Sequence, residues 1–194
     1  VVMQILSVCE HPVTADAVSS VFHHYYPDID SHQVLSRLVN LQLVENIEGC
    51  YILRDADRFY MASQLVDDAV VTDGCLDRST LHKRWANYLK ELGLNSPARP
   101  EIQEVANLRS EFHNRCAANE YAAAVDVLKR LRTPLFAEGR YEELAQYYEQ
   151  LSGKLEGVDL ICHQLDMLAL INHRLGKLNR AVAYYEEGLE RVRE

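Results

Sequence analysis

Several things are scarce in this chain, and each scarcity removes a class of function. No run approaches the ~18–20 apolar residues that a membrane span requires, so no membrane segment is expected. Five prolines and eight glycines in 194 residues leave no room for a long disordered linker. The five cysteines (Cys9, Cys50, Cys75, Cys116 and Cys162) are odd in number and widely spaced. None forms a C-x-x-C pair, so reduced thiols of a cytoplasmic protein are expected, not a disulfide framework. No basic leader precedes the helical pattern that opens at Val1. A secretory signal is therefore not expected, and the start reads as that of an excised fragment. The motifs G-x-x-x-x-G-K-[ST], G-x-S-x-G and H-E-x-x-H are all missing. His11, His23, His24 and His32 lie near Asp28 and Asp30 but lack the spacing of a helical metal site. No catalytic residue, metal or resident cofactor is expected in these residues.

What the chain does have is acid and helical periodicity. Asp and Glu outnumber Lys and Arg by 29 to 20, for a net charge of −9. The excess is concentrated: residues 1–70 hold ten acids against three bases, Arg37, Arg54 and Arg58. Within them, Met3, Ile5, Leu6 and Val8 mark one helix. Thr14 is a good N-cap for a second, with Ala17, Val18, Val21 and Phe22 inward. Asp30 or Ser31 caps a third that carries Val34, Leu35, Leu38 and Val39. Leu43–Ile47 and Cys50–Leu53 read as strands joined by Glu48-Gly49. Three short helices and a hairpin predict a winged helix-turn-helix over residues 1–70. Arg58 to about Val66 is read as one more helix.

A polar stretch, residues 67–77, is expected to bound that domain. Ser79 or Thr80 caps a connecting helix to Leu92, with Leu81, Trp85, Tyr88, Leu89 and Leu92 inward, within a connector over 71–97. From residue 98 to 194 helices follow one another. Pro100 sits at the start of the first, and breaks are expected at Thr133-Pro134 and at Gly153 to Gly157. The last pair is the most regular. Leu165, Leu168, Ala169, Ile171, Asn172 and Leu175 form one stripe, Gly176 is a C-cap, and Ala181, Tyr185 and Gly188 recur on the next helix. This resembles a tetratricopeptide repeat, with Tyr185 filling the space between small residues. Asn119-Glu120-Tyr121-Ala122-Ala123-Ala124 and Gly139-Arg140-Tyr141-Glu142-Glu143-Leu144 repeat the turn and helix upstream. One such unit cannot bury its own apolar face, so stacked copies are implied. The fold class expected is mostly α: a winged helix with a small hairpin, then an α-solenoid of tetratricopeptide-like repeats. The chain stops mid-pattern at Arg191–Glu194, so further repeats are expected beyond it.

The winged helix does not look like a DNA reader. Its third helix and lead-in, residues 28–37, hold two acids and one base, and the hairpin tip, residues 45–49, holds two acids and no base. Such a surface repels a phosphate backbone, so nucleic acid is an unfavoured partner. Instead, residues 38–45, the segment Gly49–Asp55 and Arg58-Phe59-Tyr60-Met61-Ala62 resemble a segment of signal-transduction ATPases with numerous domains. That class, abbreviated STAND, includes the NB-ARC and NOD-like proteins. The resemblance implies a winged helix that packs on a nucleotide-binding domain, absent here and expected N-terminal to Val1. It implies ADP or ATP for the parent and none for this part. The family's His-Asp pair, whose His reaches the β-phosphate, is matched here by Arg54 and Asp55. Arg54 is thus a candidate phosphate contact, and the plainer reading pairs it with Asp55 or Asp57.

The remaining candidate surface is a repeat groove for a protein or peptide. Its expected lining is Asn107, Glu111, Asn114 and Arg115, then Asp166, Asn172, His173 and Arg174. The adjacent acids Glu142–Glu143 and Glu186–Glu187 read as solvated faces. Cys116, near His113, reads as core. The function expected is the regulatory, sensing part of a STAND ATPase. The alternatives are a DNA-binding regulator with a ligand-sensing repeat domain, and a passive repeat scaffold.

Overall fold

The computed structural model describes residues 1–9, 11–65, 77–94 and 102–193. The chain is mostly helical, with one small three-stranded antiparallel sheet. It divides into two compact units: Val1–Asn95 with Ala117–Asn119, and Ser96–Cys116 with Glu120–Glu194. Most of the expected boundary at 67–77 and the helix start at Pro100 lie outside the described residues.

The first unit runs α1 (Val2–Ser7), β1 (Val13–Thr14), α2 (Ala15–Phe22), α3 (Ser31–Asn40), β2 (Glu45–Ile47), β3 (Cys50–Ile52), α4 (Asp55–Ser63) and α5 (Arg78–Leu94). Local chemistry sets the boundaries. Thr14 caps α2 by accepting from the Ala17 N–H, and Asp30 caps α3 by accepting from the His32 N–H at 2.9 Å. Glu48 (φ 52°) and Gly49 (φ 87°) form a two-residue turn with both residues left-handed. That turn's twist matches a hairpin and pairs Ile47 with Cys50. The core gathers Ile5, Leu6, Val18, Phe22, Leu35, Val44, Leu53, Leu81 and Trp85.

Four local expectations change here. Val13–Thr14 pairs with Tyr51 and Cys50, so the sheet has strand order β1-β3-β2 and not a lone hairpin. A two-residue strand is too short to show alternation. α4 begins at Asp55, three residues before the expected Arg58, because Asp55 and Asp57 suit the positive end of a helix dipole. α5 begins at Arg78, and Asp77 caps it by accepting from the Thr80 N–H at 2.7 Å. Leu92 is exposed, and α5 runs on through Gly93 to Leu94.

The second unit holds α6 (Ile102–Ala117), α7 (Tyr121–Ala137), α8 (Tyr141–Gln150), α9 (Val158–Arg174) and α10 (Leu178–Arg193). Three of its turns are built alike. Asn119, Gly139 and Gly176 take φ of 59°, 69° and 73°. In each, the next residue's N–H reaches back five residues: Glu120 to Arg115, Arg140 to Leu135, and Lys177 to Asn172, at 2.8–2.9 Å. This closure satisfies a free helix carbonyl and starts the next helix two residues later. The expected break at Thr133-Pro134 does not occur. Pro134 lies inside α7 and removes one hydrogen bond, but Leu131 and Leu135 on either side are fully buried with Leu128. Their packing carries the helix past the proline. Tyr185 does not fill the interhelical space either. It is exposed, and Tyr184 packs against the core in its place.

Two glycines should respond oppositely to alanine. Gly139 sits at φ 69° with nothing near its missing Cβ, so Gly139→Ala is expected to cost about 1 kcal/mol of backbone strain. Gly188 lies within α10, and a Cβ there would sit 3.8 Å from Leu165 Cβ, an ordinary contact. Gly188→Ala should stabilise by roughly 0.5–1 kcal/mol through helix propensity. Urea denaturation midpoints check both signs.

Candidate binding surfaces

In the first unit Arg54 stands at the N-terminus of α4. Its Nε donates to Asp57 Oδ2 at 3.1 Å, and one Nη donates to the Gln42 carbonyl at 3.0 Å. Gln42 is itself left-handed (φ 58°) and ends α3. Arg54 therefore ties the end of α3 to the start of α4. Asp55 pairs with Arg58 at 3.1 Å, so two acids and two bases balance at this corner. Arg54 is about half exposed, and two of its five N–H donors are used among the described residues. Nearby, an open cleft of about 290 Å³ is lined by Cys9, Arg58, Phe59, Arg78 and His82, among others. Burial pushes the Cys9 thiol up, so it is protonated at neutral pH.

The opposite charge dominates α3 and the hairpin. Asp16 on α2, Asp28 and Asp30 ahead of α3, and Glu45 and Glu48 on the hairpin are all exposed around them, against the bases Arg37 on α3 and Arg54.

In the second unit, charged side chains join helices two apart in sequence. Arg109 on α6 donates to Glu143 Oε1 on α8 at 2.8 Å, and the Tyr147 hydroxyl donates to the same oxygen at 2.9 Å. Arg140 lies 2.6 Å from the other carboxylate oxygen, and the Phe112 and Tyr147 rings pack 5.0 Å apart. Glu142 on α8 pairs with Lys177, just ahead of α10, at 3.4 Å. On the other side Arg132 of α7 approaches Met167 of α9. α6, α8 and α10 thus form one layer, and α7 and α9 the other. Glu143 was expected on a solvated face; the structure places it inside this cluster. Its spacing from Arg140 (i, i+3) and Tyr147 (i, i+4) is the sequence signal that marks it.

The eight expected groove residues divide between these layers. Four are buried. Glu111 accepts from Arg130 at 3.0 Å and lies 3.8 Å from Arg115, which also pairs with Glu120. This network fastens α6 to α7 across the Asn119 turn. Asn114 and Asn172 donate to carbonyls one turn back, Ser110 and Leu168, both at 2.8 Å. Asn107 is half-buried, and Asp166, His173 and Arg174 are exposed on α9. The structure therefore does not bring the two sets together on one layer. Gln164 is a buried polar residue that was not anticipated. It donates to the Tyr148 carbonyl at 2.7 Å and to Ser152 Oγ at 2.9 Å, satisfying the open end of α8. Cys116 is half-buried against the core, and burial raises its thiol to about 11.

Two measurements test this interior. Glu111→Ala leaves Arg115 and Arg130 without their shared carboxylate and should cost about 3 kcal/mol. A loss under about 1 kcal/mol, typical of surface pairs, would contradict it. Burial lifts Tyr147 and Tyr148 from 10.0 to about 12, with Glu143 adding to the rise at Tyr147. The folded chain thus holds these protons where the unfolded chain has released them. Stability is fully present below pH 10 and should fall as pH rises from about 10 to 12. Thermal midpoints across that window check it, and Tyr147→Phe should flatten the slope.

No protein-family model matches the chain, and no curated protein matches it. A solved structure does: the crystal structure of a STAND protein with a tetratricopeptide repeat sensor from Pyrococcus horikoshii. The likeness has 16% sequence identity and a TM-score of 0.46, and it covers 99% of this chain and 31% of that one. The chain spans less than a third of that protein's length.

Proposed function

We propose that this chain is the regulatory, sensor-bearing part of a STAND-type signalling ATPase. In this reading the first unit is a winged helix, with α1–α3 and the β1-β3-β2 sheet as its parts, and the second is a tetratricopeptide-like stack that binds a protein trigger. The observation that carries it is the charge of the first unit. Five exposed acids, against the bases Arg37 and Arg54, occupy α3, its surroundings and the hairpin, where a DNA reader needs an excess of cations. A winged helix that cannot hold a duplex is suited to packing on another protein domain, here the parent's nucleotide domain.

The mechanism is a two-state switch. The winged unit restrains the ADP-bound state, with Arg54 close to the nucleotide phosphate. A trigger that binds the stack more tightly in the open state shifts the balance, and only that difference in affinity can drive it.

The test is carried out on the protein that contains this chain. Its reading frame upstream of Val1 is expected to encode a phosphate-binding loop and a Walker-B strand. Arg54→Ala there should speed ADP release several-fold while leaving the thermal midpoint within a few degrees. A frame with no nucleotide-binding domain sinks the proposal. Salt-dependent binding to random duplex would favour a DNA-binding regulator. An Arg54 substitution without effect on ADP release or assembly would favour a passive scaffold.

A further inference from the structure

His163 lies inside the second unit in surroundings that suit its neutral form. It stands on α9 one turn before Met167. Its ring meets the Tyr148 ring of α8 edge-on, with centroids 6.2 Å apart. Its Nε2 is buried and makes no hydrogen bond among the described residues. A neutral imidazole forgoes one hydrogen bond there. An imidazolium would add a desolvated charge with no acceptor for its proton.

The charges that act on it come from two helices. Lys129, Arg132 and Asp126 face it from α7, and Asp166 from α9 itself. Asp126 is already paired with Lys129 at 2.8 Å, and Asp166 is exposed. The Tyr148 hydroxyl keeps its proton up to about 12 and brings no negative charge. α10 meets α9 through Cys162 and Leu165 and adds no charge acting on His163 among the described residues. Burial holds the imidazole below its ordinary value of 6.5, Lys129 and Arg132 lower it further, and the two acids offset part of this.

Arg132 connects this histidine to the packing of the helices. One of its Nη atoms donates to Met167 Sδ across α7 and α9 at 3.7 Å, its one hydrogen bond among the described residues. A thioether is a weak acceptor, so the contact is easily displaced. A cation at His163, one turn from Met167, repels the guanidinium at that point.

We propose that His163 is an acid-sensitive latch of the repeat stack: a proton taken up at Nε2 drives Arg132 off Met167 and loosens α9 from α7 and α8. The folded chain holds His163 neutral where the unfolded chain binds a proton. Its contribution to stability is therefore full above about pH 6.5 and is lost as pH falls below that. The latch concerns the second unit alone and stands whether or not the signalling reading holds.

The test uses the full 194-residue chain. Amide protection factors, already corrected for intrinsic exchange, are measured from about pH 7.5 down to about pH 5. Those of α8 and α9 are expected to fall several-fold further in the unsubstituted chain than in His163→Gln, whose side chain does not titrate. The Cε1–H resonance of His163 is a second readout. It is expected to titrate below 6.5, and Arg132→Gln should move its midpoint upward. Equal losses of protection with and without His163 overturn the proposal. So does a His163 that titrates at or above 6.5, or an Arg132→Gln chain whose His163 midpoint stays in place. If His163→Gln does not fold, the resonance in the unsubstituted and Arg132→Gln chains decides.

Discussion

The second unit depends on a backbone constraint repeated three times. A helix ends, one residue turns left-handed, and the following N–H closes on a carbonyl five residues back. That closure fixes where the next helix begins and therefore which of its residues face inward. Ala124, Leu144 and Ala181 are buried at the same count from their turns for this reason. Packing follows from the turn, because a helix restarted one residue later would rotate its apolar stripe by about 100°. Asn119 fills the role at the first turn and glycine at the other two, the residue types that tolerate that conformation.

Much of this was legible from residue type. Thr14 and Asp30 are residue types whose side-chain oxygens cap helices, and both do so here. Glu48-Gly49 and Gly176 were readable because a left-handed residue beside an apolar run has few uses. What stayed hidden was decided at longer range. Pro134 reads as a break, yet Leu131 and Leu135 are buried on one face and their packing outweighs a lost hydrogen bond. β1 exists only because Tyr51 and Cys50 lie beside it. The 20-residue interval between Asn119 and Gly139 looked too short for a helix pair. In the structure each turn joins single helices, so α7 closes one turn and opens the next.

The candidate surface was less legible than the fold, and the reason is electrostatic. A polar residue on a helix looks the same in sequence whether it faces solvent or a countercharge on a neighbouring helix. Glu111 and Arg115 read as groove lining because their partners Arg130 and Glu120 come from across a turn. Glu143 read as solvent-facing because Arg109 lies 34 residues away. Arg54 could be read locally, since Asp57 is three residues on, and that pairing is present.

These interhelical pairs also bear on where the unit can meet anything else. Arg109, Glu111, Arg115, Glu120 and Glu143 hold α6, α7 and α8 to one another. A ligand that recruited them would have to replace charge partners already in place, at a cost comparable to breaking a partly desolvated ion pair.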